Sequence, residues 1–279
     1  MAKYAWCTDI HLDHIDDPQI VRFAESLIVT EPAGVFITGD ISDAKHIVYH
    51  LSVIERVVQR PVFFVLGNHD YYGGDFETTR KTMKELTNMS QFLKYLPLLP
   101  YVPLTPTTAV VGHDGWYDAL NGNPKSRFMM NDWYAIKEFV PFSGGPGFYR
   151  TMGELKDRDG MISLARKLAH DATLHVQNGI KAAARTHKNV IVLTHFPPFA
   201  EAHMYEGKVG DDEAQPWFTS KMMGDMLRDA AWAYPNVNFR VLAGHTHGQY
   251  EGRILPNLHV NVGGADYGKP TLAGLVEVT

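Results

Sequence analysis

Five short runs of consecutive apolar and β-branched residues recur along the chain, at Tyr4–Cys7, Val35–Thr38, Val62–Leu66, Val190–Thr194 and Phe239–Ala243. Each predicts a strand. Between the first runs the period lengthens to that of a helix: Ile20, Phe23, Ala24, Leu27 and Ile28 form one face behind Asp16-Asp17-Pro18, and Pro32 closes it. A second helix is predicted over Asp43–Gln59, with Ile47, Leu51, Ile54 and Val58 inward and Pro61 as its stop, and a third over Phe76–Leu96. Thr108–Gly112 reads as a strand, Gly160–His187 and Thr219–Tyr234 as helices, and further strands fall near Gln249, Leu258 and Leu272. These last strands follow one another without helices, which predicts antiparallel hairpins. Gly115–Asp159 keeps neither period: glycine, proline, asparagine and aromatic residues dominate it, and so long an irregular stretch is more often functional than idle. The order of elements gives a mixed α/β sandwich, expected as a single domain over residues 1–279 with an insert at about 115–159.

Composition narrows the classes. With 45% hydrophobic and 20% charged residues the chain is an ordinary globular one, and no apolar stretch approaches the roughly 20 residues that span a bilayer, so no membrane partner is expected. The first strand begins at Tyr4, which leaves no room before it for a signal peptide and makes a cytoplasmic location the expectation. Cys7 is the only cysteine, excluding an intrachain disulfide and a thiolate metal cage, so any metal must be held by nitrogen and oxygen. A net charge of −5 gives no global attraction for nucleic acid.

The polar residues that follow the strands carry the chemistry. Asp9 and His11 alternate, so an extended segment would turn both side chains to one face; alone, such a triplet is more often a capping aspartate beside a surface histidine. Gly39-Asp40 alone is a common turn, but its place at a strand end lets the carboxylate bridge two cations. Gly67-Asn68-His69-Asp70 offers an amide oxygen, an imidazole able to give a proton and a carboxylate able to orient it, where a plain β-turn is the alternative. His195 precedes Phe196-Pro197-Pro198 at another strand end, and Gly244-His245-Thr246-His247 repeats the alternation with two imidazoles. In open α/β sheets such loops converge on one crevice, so ligands far apart in sequence can meet.

Taken in order, D-x-H, GD, GNHD, a TH segment and GHTH make the chain resemble the calcineurin-like metallophosphoesterases from Asp9 to His247. The resemblance implies an α/β/β/α sandwich, a four-layer fold of two mixed β-sheets flanked by helices, with metals at the loops along one edge. It implies that Asp9, His11 and His247 hold one metal, that Asn68, His195 and His245 hold a second, and that Asp40 bridges them. His69 would be the general acid for the leaving group and Asp70 its orienting partner. Two divalent cations about 4 Å apart would bind phosphoryl oxygens and lower the pKa of a bridging water to give hydroxide near neutral pH. Mixed nitrogen and oxygen ligation suits Mn, Fe or Zn.

Hydrolysis of a small phosphomonoester or phosphodiester is the expected activity. A nuclease of the same superfamily is the alternative, and the chain has no basic tract to favour it. A non-catalytic scaffold is disfavoured by the intact ligand set. Phosphoprotein phosphatases usually carry GNHE and GDxVDRG, whereas Asp70 and Asp43-Ala44-Lys45 stand here. His14, His46, His113, His203 and Tyr205 lie near ligand loops and could line a substrate pocket, although each is more often a plain surface or core residue. Trp116-Tyr117-Asp118 is read as supporting the fold. Lys125, Arg127 and Arg150 could bind phosphate, with a solvated loop the commoner outcome. Met129-Met130 and the aromatics beside them suit a satellite core or a lid, and the insert as a whole is expected to overhang the metal edge.

Overall fold

Alternation within the apolar runs decides the layering. The computed structural model describes residues 1–123, 125–145 and 155–279. Strands β1 (Ala2–Cys7), β2 (Gly34–Thr38), β3 (Val62–Val65) and β4 (Leu93–Tyr95) run parallel and alternate with helices α1 (Asp17–Ile28), α2 (Ile47–Val58) and α3 (Phe76–Met89). There follow β5 (Val102–Pro103), β6 (Thr108–Gly112), two helical turns α4 (Asp132–Ala135) and α5 (Val140–Ser143), the long helix α6 (Arg158–Ala183) and β7 (Asn189–Leu193). A small hairpin β8 (Met204–Tyr205) and β9 (Lys208–Val209), α7 (Gln215–Phe218), α8 (Lys221–Ala233), β10 (Asn238–Ala243), β11 (Tyr250–Leu255), β12 (Leu258–Val262) and β13 (Gly274–Val278) complete the chain. One sheet has the order β13-β1-β2-β3-β4 and the other β11-β12-β10-β7-β6-β5.

Odd and even residues of the central strands serve different cores, as the two-residue period of a strand requires. Tyr4, Trp6, Phe36, Phe63, Val110, Ile191, Leu193 and Leu242 face the space between the sheets. Ala5, Cys7, Val35, Ile37 and Phe64 face outward under α1, α2 and α3, and Val111, Val190, Val192 and Val241 lie under α6 and α8. Helix, sheet, sheet, helix is thus the layer order, and the fold is the expected one. Local signals set the helix ends. Asp16 caps α1 by accepting from Gln19 N at 2.9 Å while the Gln19 side chain accepts from Asp16 N at 3.0 Å, with Pro18 in the first turn.

Several elements differ from the sequence reading. The helix expected over Phe76–Leu96 stops at Met89, because the Ser90 hydroxyl accepts from Leu93 N at 2.7 Å and turns the chain into strand β4. The helix expected from Asp43 starts at Ile47, behind a turn in which the Asp43 carboxylate accepts from His46 N. The terminal hairpins are only partly as expected. β11 and β12 pair antiparallel, but β10 pairs with β12 in parallel, and β13 crosses to the other sheet to cover the edge of β1. Val276 and Val278 of β13 complete the layer between the sheets, which is the apolar gain that draws it there.

The irregular insert is built partly as core. Trp116, Tyr117, Trp133 and Phe139 are buried and pack with Trp217 and the first half of α6, while the second half of α6 covers the other sheet. Pro146, Gly147 and Arg150 of the insert lie outside the described residues.

Phe36 tests the layering. It is fully buried between the sheets and stacks on Tyr4 at 4.7 Å between ring centroids. Phe36→Ala is expected to cost about 3–5 kcal/mol, read as a lower denaturation midpoint at unchanged slope; a loss under about 1 kcal/mol would contradict a packed inter-sheet layer.

Candidate metal centre

The carboxyl ends of β1, β2, β3, β7 and β10 open onto the same edge, and the loops that leave them bring the sequence-predicted ligands together. Donor atoms of Asp9, His11, Asp40 and His247 all lie within 4.8 Å of one another. His11 Nε2 faces His247 Nε2 at 3.2 Å, with Asp40 Oδ2 3.7 Å from the former and Asp9 Oδ1 3.5 Å from the latter. Beside this group, Asn68 Oδ1 lies 3.1 Å from His195 Nε2 and 3.0 Å from His245 Nδ1, while Asp40 Oδ1 is 3.3 Å from His195 Nε2. Asp40 therefore stands between both groups, one oxygen toward each.

Outer contacts fix which atom three of these residues present. His195 Nδ1–H donates to the Thr38 carbonyl at 2.8 Å, leaving Nε2 for the site, and His245 Nε2–H donates to the Trp217 carbonyl at 3.3 Å, leaving Nδ1. Asn68 Nδ2 donates to Asp132 Oδ1 at 2.8 Å, which turns the amide oxygen inward. Three acceptors then face one another, an arrangement that repels unless a cation or proton lies among them. Seven nitrogen and oxygen donors with this mutual approach fit two metal ions and exceed what one ion with an open position would take.

Electrostatics divides the imidazoles. Burial pulls His11 down to about 3 and His245 well below its ordinary value, so both rings are neutral, as ligands must be. Burial also pulls on His195, but the Asp40 and Asp9 carboxylates outweigh it and raise that ring to about 10. Asp40 correspondingly stays ionised: burial opposes this, and His195 and His69 override it.

The backbone is shaped to the same end. Asp9, His11, Asp40, His245 and His247 have φ of 49°, 38°, 50°, 73° and 55°, the left-handed region that L-residues avoid. Gly67 has to be glycine, because a Cβ there would run into the Asp40 carboxylate.

His69 and Asp70 part company. They lie in one 3-10 turn, His69–Tyr71, whose tight winding sends neighbouring side chains in different directions. The His69 ring stacks on Tyr72 at 4.2 Å, and its Nε2 is 3.4 Å from the Tyr267 hydroxyl, at the mouth of the site. Asp70 is buried, and its carboxylate accepts from Ile41 N, Ser42 N and Gly67 N at 2.9, 2.8 and 2.7 Å. The expected contact from Asp70 to the His69 ring is therefore corrected: Asp70 clamps the Asp40 loop to the Gly67 loop.

Other candidates scatter. His14 lines a cleft beside the site, and His203 stacks on Phe218, which in turn packs on His245. His46 is bonded to Asp43, His113 packs on His175 of α6, and Tyr205 is exposed on the β8–β9 hairpin. Lys125 and Arg127 are exposed, and Arg150 lies outside the described residues. Phe128, Met129, Met130 and Asn131 of the insert line a cavity of about 250 Å³ together with Asp40, Asn68, His245 and His247. Asp132, Tyr72, Trp217 and Tyr267 escaped sequence reasoning, since nothing local marks them.

The model of the calcineurin-like phosphoesterases matches residues 2–249. The chain belongs to that family. Among solved structures, this phosphoesterase is similar to a phosphopantetheinyl hydrolase from Mycobacterium tuberculosis, with a TM-score of 0.64 and 14% identity over 95% of this chain and 89% of that one. It is also similar to a dimetal phosphatase from Danio rerio, with a TM-score of 0.55 and 10% identity over 94% of this chain and 87% of that one. At such identities the likeness is one of fold. No curated protein sequence matches. Family, fold and the buried acid–histidine cluster together support a metal-dependent phosphoesterase, and among the described residues no helix is long and apolar enough to cross a membrane.

Metal loading should be coupled to proton release. With its ring raised to about 10, His195 holds a proton through the neutral range that a metal has to displace, so apparent metal affinity should climb as pH rises toward about 10. Adding Mn²⁺ to the metal-free protein at pH 8 in weak buffer with an indicator dye should release about one proton per chain. No release would show that His195 is already neutral.

Proposed function

We propose that the protein hydrolyses a phosphomonoester or phosphodiester at a dinuclear centre. Asp9, His11 and His247 would hold one ion, Asn68, His195 and His245 the other, and Asp40 both. When bound, two such ions supply charge neutralisation at phosphorus and acidify water into a nucleophile near neutral pH. The donor set suits Mn, Fe or Zn. What this chain adds is positioning and a proton donor.

The observation that carries the reading is the place of His69. Its ring lines the 250 Å³ cavity over the ligands and also a neighbouring cleft of about 1060 Å³. A phosphoryl group among the seven ligands would have its departing oxygen toward His69 and the attached alcohol in the larger cleft. Neither His69 nitrogen is needed as a ligand, so the ring is free to protonate the alkoxide, held by its stack on Tyr72 and by Tyr267. Burial, with Asp40 and Asp9 nearby, pushes Tyr267 up, so that hydroxyl keeps its proton.

The larger cleft speaks to the alcohol. Tyr72, Tyr134, Tyr267, Val140 and Pro141 give it apolar walls, and Asp13, Asp43 and Asp75 outnumber Lys137, itself 3.8 Å from Asp75. A neutral or cationic organic alcohol suits this lining. A nucleic-acid strand, which carries a phosphate on either side of the scissile one, does not.

His69→Ala should leave both metals bound, measured by metal analysis, and slow turnover of alkyl phosphate esters by roughly 10²–10⁴. Esters of p-nitrophenol should lose far less, since that phenolate departs without a proton. Equal losses on both ester types, or loss of an ion, would place His69 in another role.

A further inference from the structure

We infer that Asp132, supplied by the irregular insert, is a positioning residue for the Asn68 half of the metal centre, acting through Asn68 and Tyr72. The inference rests on the dinuclear reading above. Asp132 is fully buried, and its Oδ1 accepts two hydrogen bonds, from Asn68 Nδ2 at 2.8 Å and from the Tyr72 hydroxyl at 2.6 Å. An amide can rotate by half a turn about its last bond and present nitrogen where oxygen was needed. A carboxylate accepts only, so the Asp132 oxygen admits only the NH₂ side of Asn68 and leaves the amide oxygen for the ion.

The same oxygen reaches the proton donor. Tyr72, whose hydroxyl bonds Asp132, is the ring on which His69 stacks at 4.2 Å and 26°. One carboxylate thus sets both a metal ligand and the platform of the general acid.

Asp132 is itself held firmly. Its neighbour Trp133 is fully buried in α4, donates to the Tyr117 hydroxyl at 3.0 Å and packs on the Trp217 ring at 5.0 Å and 81°. Trp217 carries the carbonyl that orients His245. Two of the three unshared ligands of this half, Asn68 and His245, are therefore oriented from one aromatic block in which α4 meets α7. The ligands of the other half, Asp9, His11 and His247, make no hydrogen bond to that block among the described residues. The asymmetry makes the idea testable by metal binding.

Mn²⁺ titration by calorimetry on wild type, Asp132→Ala and Asp132→Asn separates the outcomes. Wild type should bind two ions per chain; a single ion there would sink the dinuclear reading itself, independently of Asp132. Given two, Asp132→Ala should weaken one ion by roughly 10- to 100-fold and leave the other within about threefold, as outer contacts to metal ligands do elsewhere. Asp132→Asn, which keeps an acceptor but loses the charge and the one-way selection, should weaken that same ion by roughly 3- to 10-fold. Should the alanine variant fail to fold, the asparagine variant carries the test alone. Equal weakening of both ions, or none, would overturn the inference, because a merely structural role would not choose between them.

Discussion

Lone pairs crowded together in a buried site repel, and the arrangement of this protein answers that repulsion. Asn68 Oδ1 lies about 3 Å from two imidazole nitrogens, and the His11 and His247 nitrogens face each other across a similar gap. Left to themselves, these groups would turn away or take up protons. Several are kept in place from behind: the Thr38 and Trp217 carbonyls fix the His195 and His245 rings, Asp132 fixes the Asn68 amide, and Asp70 ties the loops of Asp40 and Gly67 together through three backbone N–H groups. The residues behind Asn68, His195, His245 and Asp40 thus belong to the construction of the site as much as the candidate ligands do.

The sheets make this possible because their parallel strands all end at one edge. β1, β2 and β3 deliver ligands from one sheet, β7 and β10 from the other, and the packed layer of Tyr4, Trp6, Phe36, Leu193 and Leu242 sets the spacing between the two deliveries. A site assembled across two sheets is only as exact as the packing between them. The crossing of the chain from β12 to β13 has a second effect, since residue Tyr267 on that crossing reaches over His11, His69 and His247.

The seven candidate ligands could be placed at strand ends because each lies within a few residues of an apolar run, but so do His69 and Asp70, and only the family resemblance set those two apart. The apolar runs by themselves gave a mixed α/β sandwich, and the four-layer order came from the resemblance. What could not be read was anything decided by contacts between distant segments. Ser90 ends α3 through its own hydroxyl, a choice between two local patterns that periodicity does not resolve. β13 joins the first sheet because its valines fit a space defined by other strands. Asp70 sits beside His69 in sequence, yet the 3-10 turn parts them and buries the carboxylate against backbone. Asp132 opens the short helix α4 and Tyr267 lies between β12 and β13, and only the folded arrangement puts one behind Asn68 and the other above His69.

Five of the ligands occupy left-handed backbone conformations, each costing an L-residue on the order of 1 kcal/mol. Glycine would relieve that strain at every one of them, and would delete a ligand each time. Selection for a sturdier fold and selection for chemistry consequently pull these positions in opposite directions. A descendant that lost the need for metal would be expected to drift at these five sites first, gaining stability as it gave up catalysis.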